Sequence, residues 1–297
     1  MIHPGGVVVD DEVVRRTAGV SSRRWLVIAA VAAALTVAVY LLAVWTASGQ
    51  ALENAALRGA DQADAAESGQ AWQALDEITV YSLAGATLLI ALTGALRRRW
   101  DLAVAAVGVI VLGQVVVQVL KRFVLVRPAL VPVTGDFGHN SLPSGHTTIA
   151  MTVLFAAVIV APYRWRGVVM LVVLPWAVGI GQYTLTAKWH RLSDTLAADA
   201  IALALAGLAS WWLARRGAVH PYEGNRRIGR VVIGAFAGLA ALAGLTLGAI
   251  LWGVPLAREG LAGADEWVIY LGAGSFASAG SIVAALVFLL SWRRLAT

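Results

Sequence analysis

The sequence predicts an all-α fold, a polytopic helical bundle in a membrane. Of its 297 residues, 59% are hydrophobic and only 13% charged, where soluble domains carry about a quarter charged. Apolar runs of about 20 residues recur, the length that crosses a ~30 Å hydrocarbon core. Positive charge also alternates strongly from one loop to the next.

The pattern gives eight spans, over 25–46, 79–96, 102–120, 147–162, 167–187, 195–214, 228–252 and 267–290. The first follows Arg23-Arg24-Trp25 and is too long for the apolar region of a cleaved signal peptide, so it reads as a retained helix. Residues 47–78 are Ala-rich with scattered acids; they suit either a helix lying on the surface beside the site or a solvated loop. The second span stops at Arg97-Arg98-Arg99, and the third at Lys121, seven residues before Pro128. Pro143 and Gly145 open the fourth, and Pro162 follows it. Arg164 and Arg166 precede the fifth, Lys188 closes it, and Arg215-Arg216 close the sixth. The basic stretch 215–230 leads into the last two spans, where Gly234, Gly238 and Gly244 would permit close packing or a partner interface. This divides the chain into a tail (1–24), a six-helix core (25–214), a basic linker (215–230) and a two-helix extension (231–297).

Sixteen of the 23 Lys and Arg residues fall in one set of alternating loops and seven in the other. The positive-inside rule places the richer set, with both termini, in the cytoplasm. A net charge of +6 therefore reads as membrane topology, with no nucleic-acid partner. The absence of Cys excludes disulfides and thiol chemistry.

Five of the seven outside cations lie in two loops, 121–146 and 188–194, which also hold His139, His146, His190 and Asp194. Both lysines of the chain, Lys121 and Lys188, are there. In "LKRFVLVRP", Lys121 and Arg127 suit an anion, Arg offering a planar fork for phosphate; cations at a helix end also snorkel. In "PSGHTT", Ser144 and Gly145 begin a helix whose N–H groups suit an anion, and His146 in that first turn is placed to donate a proton; a plain cap with an incidental His has the same sequence. In "KWHRLSD", His190 and Asp194 are four apart and share a helical face. A carboxylate on one imidazole nitrogen leaves the other as nucleophile, although a structural His–Asp pair looks the same. Two His and one Asp also suit zinc, but the surrounding Lys and Arg repel a cation and favour phosphate without metal. Asp199 falls inside a span, where a carboxylate usually has a partner.

In order and placement, Arg127-Pro128, Pro143-Ser144-Gly145-His146, and His190 with Asp194 resemble the three-part signature of the type 2 phosphatidic acid phosphatase (PAP2) superfamily. The resemblance covers roughly residues 25–214. It implies a six-helix core, a metal-free phosphatase without cofactor, and a phosphohistidine intermediate. His190 would be the nucleophile, Asp194 its orienter and His146 the acid, with Arg127, Ser144 and Gly145 on the phosphate. Two positions depart from the pattern. Lys121 and Arg127 have five residues between them where the family has six. Tyr183-Thr184 stands where the family has Ser-Arg, so Arg191 or Lys188 is expected to supply the missing cation.

The expected activity is hydrolysis of a lipid phosphate or diphosphate at the outer face of a bacterial plasma membrane. Candidates are a polyprenyl diphosphate, phosphatidic acid and phosphatidylglycerophosphate, the outside site favouring the first. A phosphotransferase using the same phosphohistidine and a non-catalytic lipid-phosphate binder are the alternatives.

Overall fold

The computed structural model describes residues 21–133, 138–225 and 228–297. The expected tail up to residue 20, with His3, Arg15 and Arg16, and the linker residues Arg226 and Arg227 lie outside the described residues. Among those described, the α-helices are α1 (Arg23–Val44), α2 (Ala47–Gly59), α3 (Ala65–Asp76), α4 (Val80–Leu96), α5 (Trp100–Val119), α6 (Gly145–Val160), α7 (Arg166–Thr186), α8 (Leu192–Arg215), α9 (Ile228–Gly263) and α10 (Glu266–Ser291). Two short strands, β1 (His220–Pro221) and β2 (Leu295–Ala296), pair antiparallel.

All but α2 and α3 match the eight expected spans to within a few residues, apart from α9. Six of them are long and apolar enough to cross a membrane: α1, α5 with its continuation to Val124, α7, α8, α9 and α10. The other two are shorter. α4 joins α3 across a 61° bend, and α6 has 16 residues, a length of about 24 Å.

α6 is the centre of the bundle. Met151, Leu154, Phe155 and Ile159 have no exposed surface, and α5, α7 and α8 surround the helix. Phe155 meets Phe288 of α10 at 4.7 Å between rings. Lipid is as apolar as these side chains, so close packing and polar contacts, rather than exclusion of water, hold such helices together. Gly207 shows the packing: a Cβ there would sit 3.0 Å from the Trp25 carbonyl oxygen of α1. The partner of Asp199 is Ser281 of α10, whose hydroxyl is 2.9 and 3.1 Å from the two carboxylate oxygens.

α9 runs on past 252 to Gly263, with Pro255 inside it and a break at Gly260, where φ is +65°; Leu256 and Leu261 pack beside Ile269 and Tyr270, which makes the added turns worth forming. Of the three glycines, only Gly244 faces α10, near Ala279 and the Ser275 carbonyl; a Cβ on Gly234 or Gly238 would meet nothing. The linker takes part in the fold. Its β1 pairs with the C-terminal β2, and Arg230 donates to the Leu289 carbonyl. Arg166, expected as a loop cation, is buried, donating to the carbonyls of Val158 and Leu295 beneath the Trp292 ring. These contacts gather arginines at one end of the bundle.

The stretch 47–78 resolves into α2 and α3. α2 is no solvated element: Gln50, Glu53 and Asn54 are buried with Ala55, Ala56 and Leu57. It packs on α10 so closely that a Cβ on Gly59 would lie 2.0 Å from the Glu266 carbonyl oxygen.

Candidate active site

At the end opposite the arginines, the three singled-out segments converge, and α2 and α3 join them. α5 finishes in a π-turn over Leu120–Val124, closed by Leu125 N–H donating to the Leu120 carbonyl at 2.8 Å. Such a turn takes one residue more than an α-turn, which alters the facing of everything after it. Lys121 lies within electrostatic reach of Asp194 and of His190. The chain then extends to Pro128 under three side chains. The Tyr40 hydroxyl donates to the Val126 carbonyl (2.7 Å) and accepts from its N–H. Gln50 donates from Nε2 to the carbonyls of Val44 and Pro128, both at 2.7 Å. Asn140 donates to the carbonyls of Leu125 and Leu142. Arg127 is thereby held with its side chain buried.

Ser144 caps α6: its Oγ accepts from Thr147 N–H at 3.3 Å. Its own N–H donates to the Asp194 carbonyl at 3.0 Å, tying this loop to α8. Gly145 and His146 form the first turn. The His146 ring lies 5.2 Å from Trp189, which meets Trp72 of α3 edge-on at 4.8 Å.

The N–H groups of Trp189 and His190 both donate to the Thr184 carbonyl at 3.0 Å. The His190 Nδ1 then lies 3.0 Å from Asp194 Oδ2, which also accepts from Arg191 N–H at 3.0 Å. Both side chains are buried. With Nδ1 donating to the carboxylate, Nε2 carries the lone pair. Burial holds the His190 pKa below its ordinary value, against the opposing pull of Asp194, so the ring is neutral near pH 7.

The two candidate replacement cations separate. Arg191 is buried, donates from Nη1 to Ser141 Oγ at 3.0 Å, and feels the charges of Arg127 and Glu53. Lys188 pairs with Asp61, just beyond α2. A cavity of about 300 Å³ is lined by Leu57, His139, Ser141, Lys188, Trp189, His190 and Arg191.

Residues 102–218 match the PAP2 superfamily, a stretch that contains all three segments. Over that stretch, and not beyond it, the chain is similar to the PAP2 superfamily. No curated protein and no solved structure matches it. The PAP2 match runs from α5 through α8; α1–α4, α9 and α10 lie outside it. Members of this superfamily are generally phosphatases of lipid-like substrates in membranes.

Within this PAP2 region, Thr184 fills the place of the family's Arg. It is buried, and its hydroxyl donates to the Gly181 carbonyl at 2.7 Å. Outside the region, α2 adds a residue that sequence reading missed. The Glu53 Oε1 accepts from Ser193 N–H at 3.0 Å, and Oε2 stands 3.5 Å from Arg127 Nη1. The signal was present as Gln50, Glu53 and Asn54, an i, i+3, i+4 polar face. That spacing reads as solvated until the tertiary fold turns it inward.

Proposed function

We propose that this chain hydrolyses a lipid phosphate or diphosphate through a phosphohistidine on His190. The observation that carries this is the buried His190–Asp194 pair at 3.0 Å, set beside Arg127 and Arg191. The Nε2 lone pair attacks phosphorus as the bond from phosphorus to the leaving oxygen breaks, and His146, which takes a proton from solvent once the negatively charged phosphate is bound beside it, gives that oxygen the proton. Water, losing a proton to His146, then attacks phosphorus and breaks the P–N bond, releasing phosphate and His190. Such transfers need in-line placement and charge stabilisation more than covalent help from the protein. Arg127, Arg191, Lys121 and the first-turn amides of α6 from Gly145 onward supply that charge.

Arg191 takes the role of the family's missing Arg, because it alone of the two candidates is buried beside Arg127. Lys121 lies within electrostatic reach of Asp194 and His190, which supports a share in that charge despite its shifted spacing. The gathering of arginines at the far end supports a cytoplasmic location for that end and an outer-face site. An outer site in contact with lipid suits a polyprenyl diphosphate, with phosphatidic acid and phosphatidylglycerophosphate as the other candidates.

The test is phosphate release by the purified protein in detergent, with EDTA present, from those three lipids. EDTA-resistant release is expected. No release from any of them by folded protein would turn the reading to a transferase or a binder. The pH profile adds a check. The neutral imidazole is the nucleophile, so the rate falls as pH drops through the folded pKa of His190. Burial lowers that pKa, so the acid limb of kcat/KM is expected below the ordinary value of about 6.5. An acid limb above that value would count against His190 as nucleophile.

A further inference from the structure

Glu53 is out of keeping with a site built for anions. Its carboxylate is 5% exposed and stands among the groups meant for phosphate. It lines one small cavity with His190 and Arg191. The charged and titratable groups facing it come from every side: Asp194 from α8, Arg127 after α5, Arg191 and His190 before α8, and Tyr270 from α10. Its two oxygens differ. Oε1 is committed to Ser193 N–H, whereas Oε2, toward Arg127, has no hydrogen-bond partner among the described residues. A phosphate bound to Arg127 would bring further negative charge against this carboxylate and the nearby Asp194. Like charges so placed favour protonation of one of them.

We propose that Glu53 is a proton-gated member of the phosphate pocket: ionised, it is the counter-ion of Arg127, and when a phosphate binds it takes a proton from solvent on Oε2 and donates that O–H to a phosphate oxygen. This rests on the phosphatase reading above. One O–H bond forms and the buffer loses one proton; nothing else is exchanged. The gate works near neutrality. Burial, with the charge of Asp194 adding, lifts the Glu53 pKa to about 7, against the pull of Ser193 and Arg127. The neutral acid then supplies a donor at a site that lacks the family's Arg. The residue lies on α2, outside the stretch that matches the family.

Sulfate is the probe, because it stays a dianion where phosphate itself titrates. Calorimetry of the full chain in detergent, in buffers of different ionisation enthalpy, counts the protons taken up. Near pH 8 the wild type is expected to take up close to one proton more per sulfate than Glu53→Gln. Wild-type affinity should fall by up to ~tenfold per pH unit above neutrality, by linkage; Glu53→Gln, whose amide keeps the Oε1 acceptor, should lose much less. Equal proton counts in the two proteins would overturn the proposal alone. So would weaker sulfate binding by Glu53→Gln at every pH, which would make Glu53 a strut for Arg127. A wild type that binds neither sulfate nor phosphate would overturn the phosphate-site reading together with the proposal. Should Glu53→Gln fail to fold, infrared difference spectra of the wild type decide: sulfate near pH 8 must raise a protonated-carboxyl band, and its absence refutes the gate.

Discussion

His190→Ala is expected to remove lipid phosphate release, by a factor of about 10⁴ or more, because no other group can form the covalent intermediate. The imidazole is fixed from three directions. Its backbone N–H holds the Thr184 carbonyl, its Nδ1 meets Asp194, and burial keeps it neutral. Asp194→Asn should cost less, about 10²–10³-fold, since Nε2 stays in place while the preferred tautomer is lost. The order of the two losses is the informative part. Brief incubation with radiolabelled lipid phosphate, quenched in alkali, should trap label on the wild type and none on His190→Ala. Label surviving in His190→Ala would move the nucleophile elsewhere.

Arg191→Ala is expected to lower kcat/KM about 10²–10³-fold, the usual cost of removing one charged donor from a transition state. Its guanidinium is buried beside Arg127 and hydrogen-bonded to Ser141, so no solvent cation takes its place at once. Arg191→Lys should recover only part of the loss, because an ammonium cannot repeat the bidentate fork. Lys188→Ala is the contrast. Lys188 pairs with Asp61, whose side chain is largely exposed, and such pairs contribute little, so a change under about tenfold is expected. Steady-state kinetics on the three variants separate these outcomes. A Lys188→Ala loss as large as that of Arg191→Ala would mean that the lysine swings into the site during turnover.

Much of this was legible in the chain itself. Span length and hydropathy predict the eight apolar helices, six of them long enough to cross a membrane, because a lipid interior leaves few other ways to satisfy the backbone. Cations confined to two loops that also carry His and Asp mark the site end. The i, i+4 spacing of His190 and Asp194 foretells their pairing, but not from a shared helical face: His190 precedes the N-cap Arg191 and meets Asp194 across the start of α8.

Other features depended on contacts between distant segments. The π-turn at the end of α5, which carries Lys121, is not encoded in hydropathy. Choosing between Arg191 and Lys188 required knowing that Asp61 draws the lysine to the rim while Ser141 receives the arginine inside. The sign of Glu53, its polar face with Gln50 and Asn54, was ambiguous, because such a face on a short acidic helix reads as solvated until α10 and α8 close over it.

The sequence by itself determined the class, an all-α membrane bundle, and the two loops in which scarce cations, His and Asp gather. These follow from composition, periodicity and spacing, which act within one element or against the bilayer. Only the tertiary structure decided which charges are buried and which carboxylate faces Arg127. Each of those depends on segments up to 140 residues apart, as Glu53 and Ser193 are, and local sequence holds no record of a contact at that range.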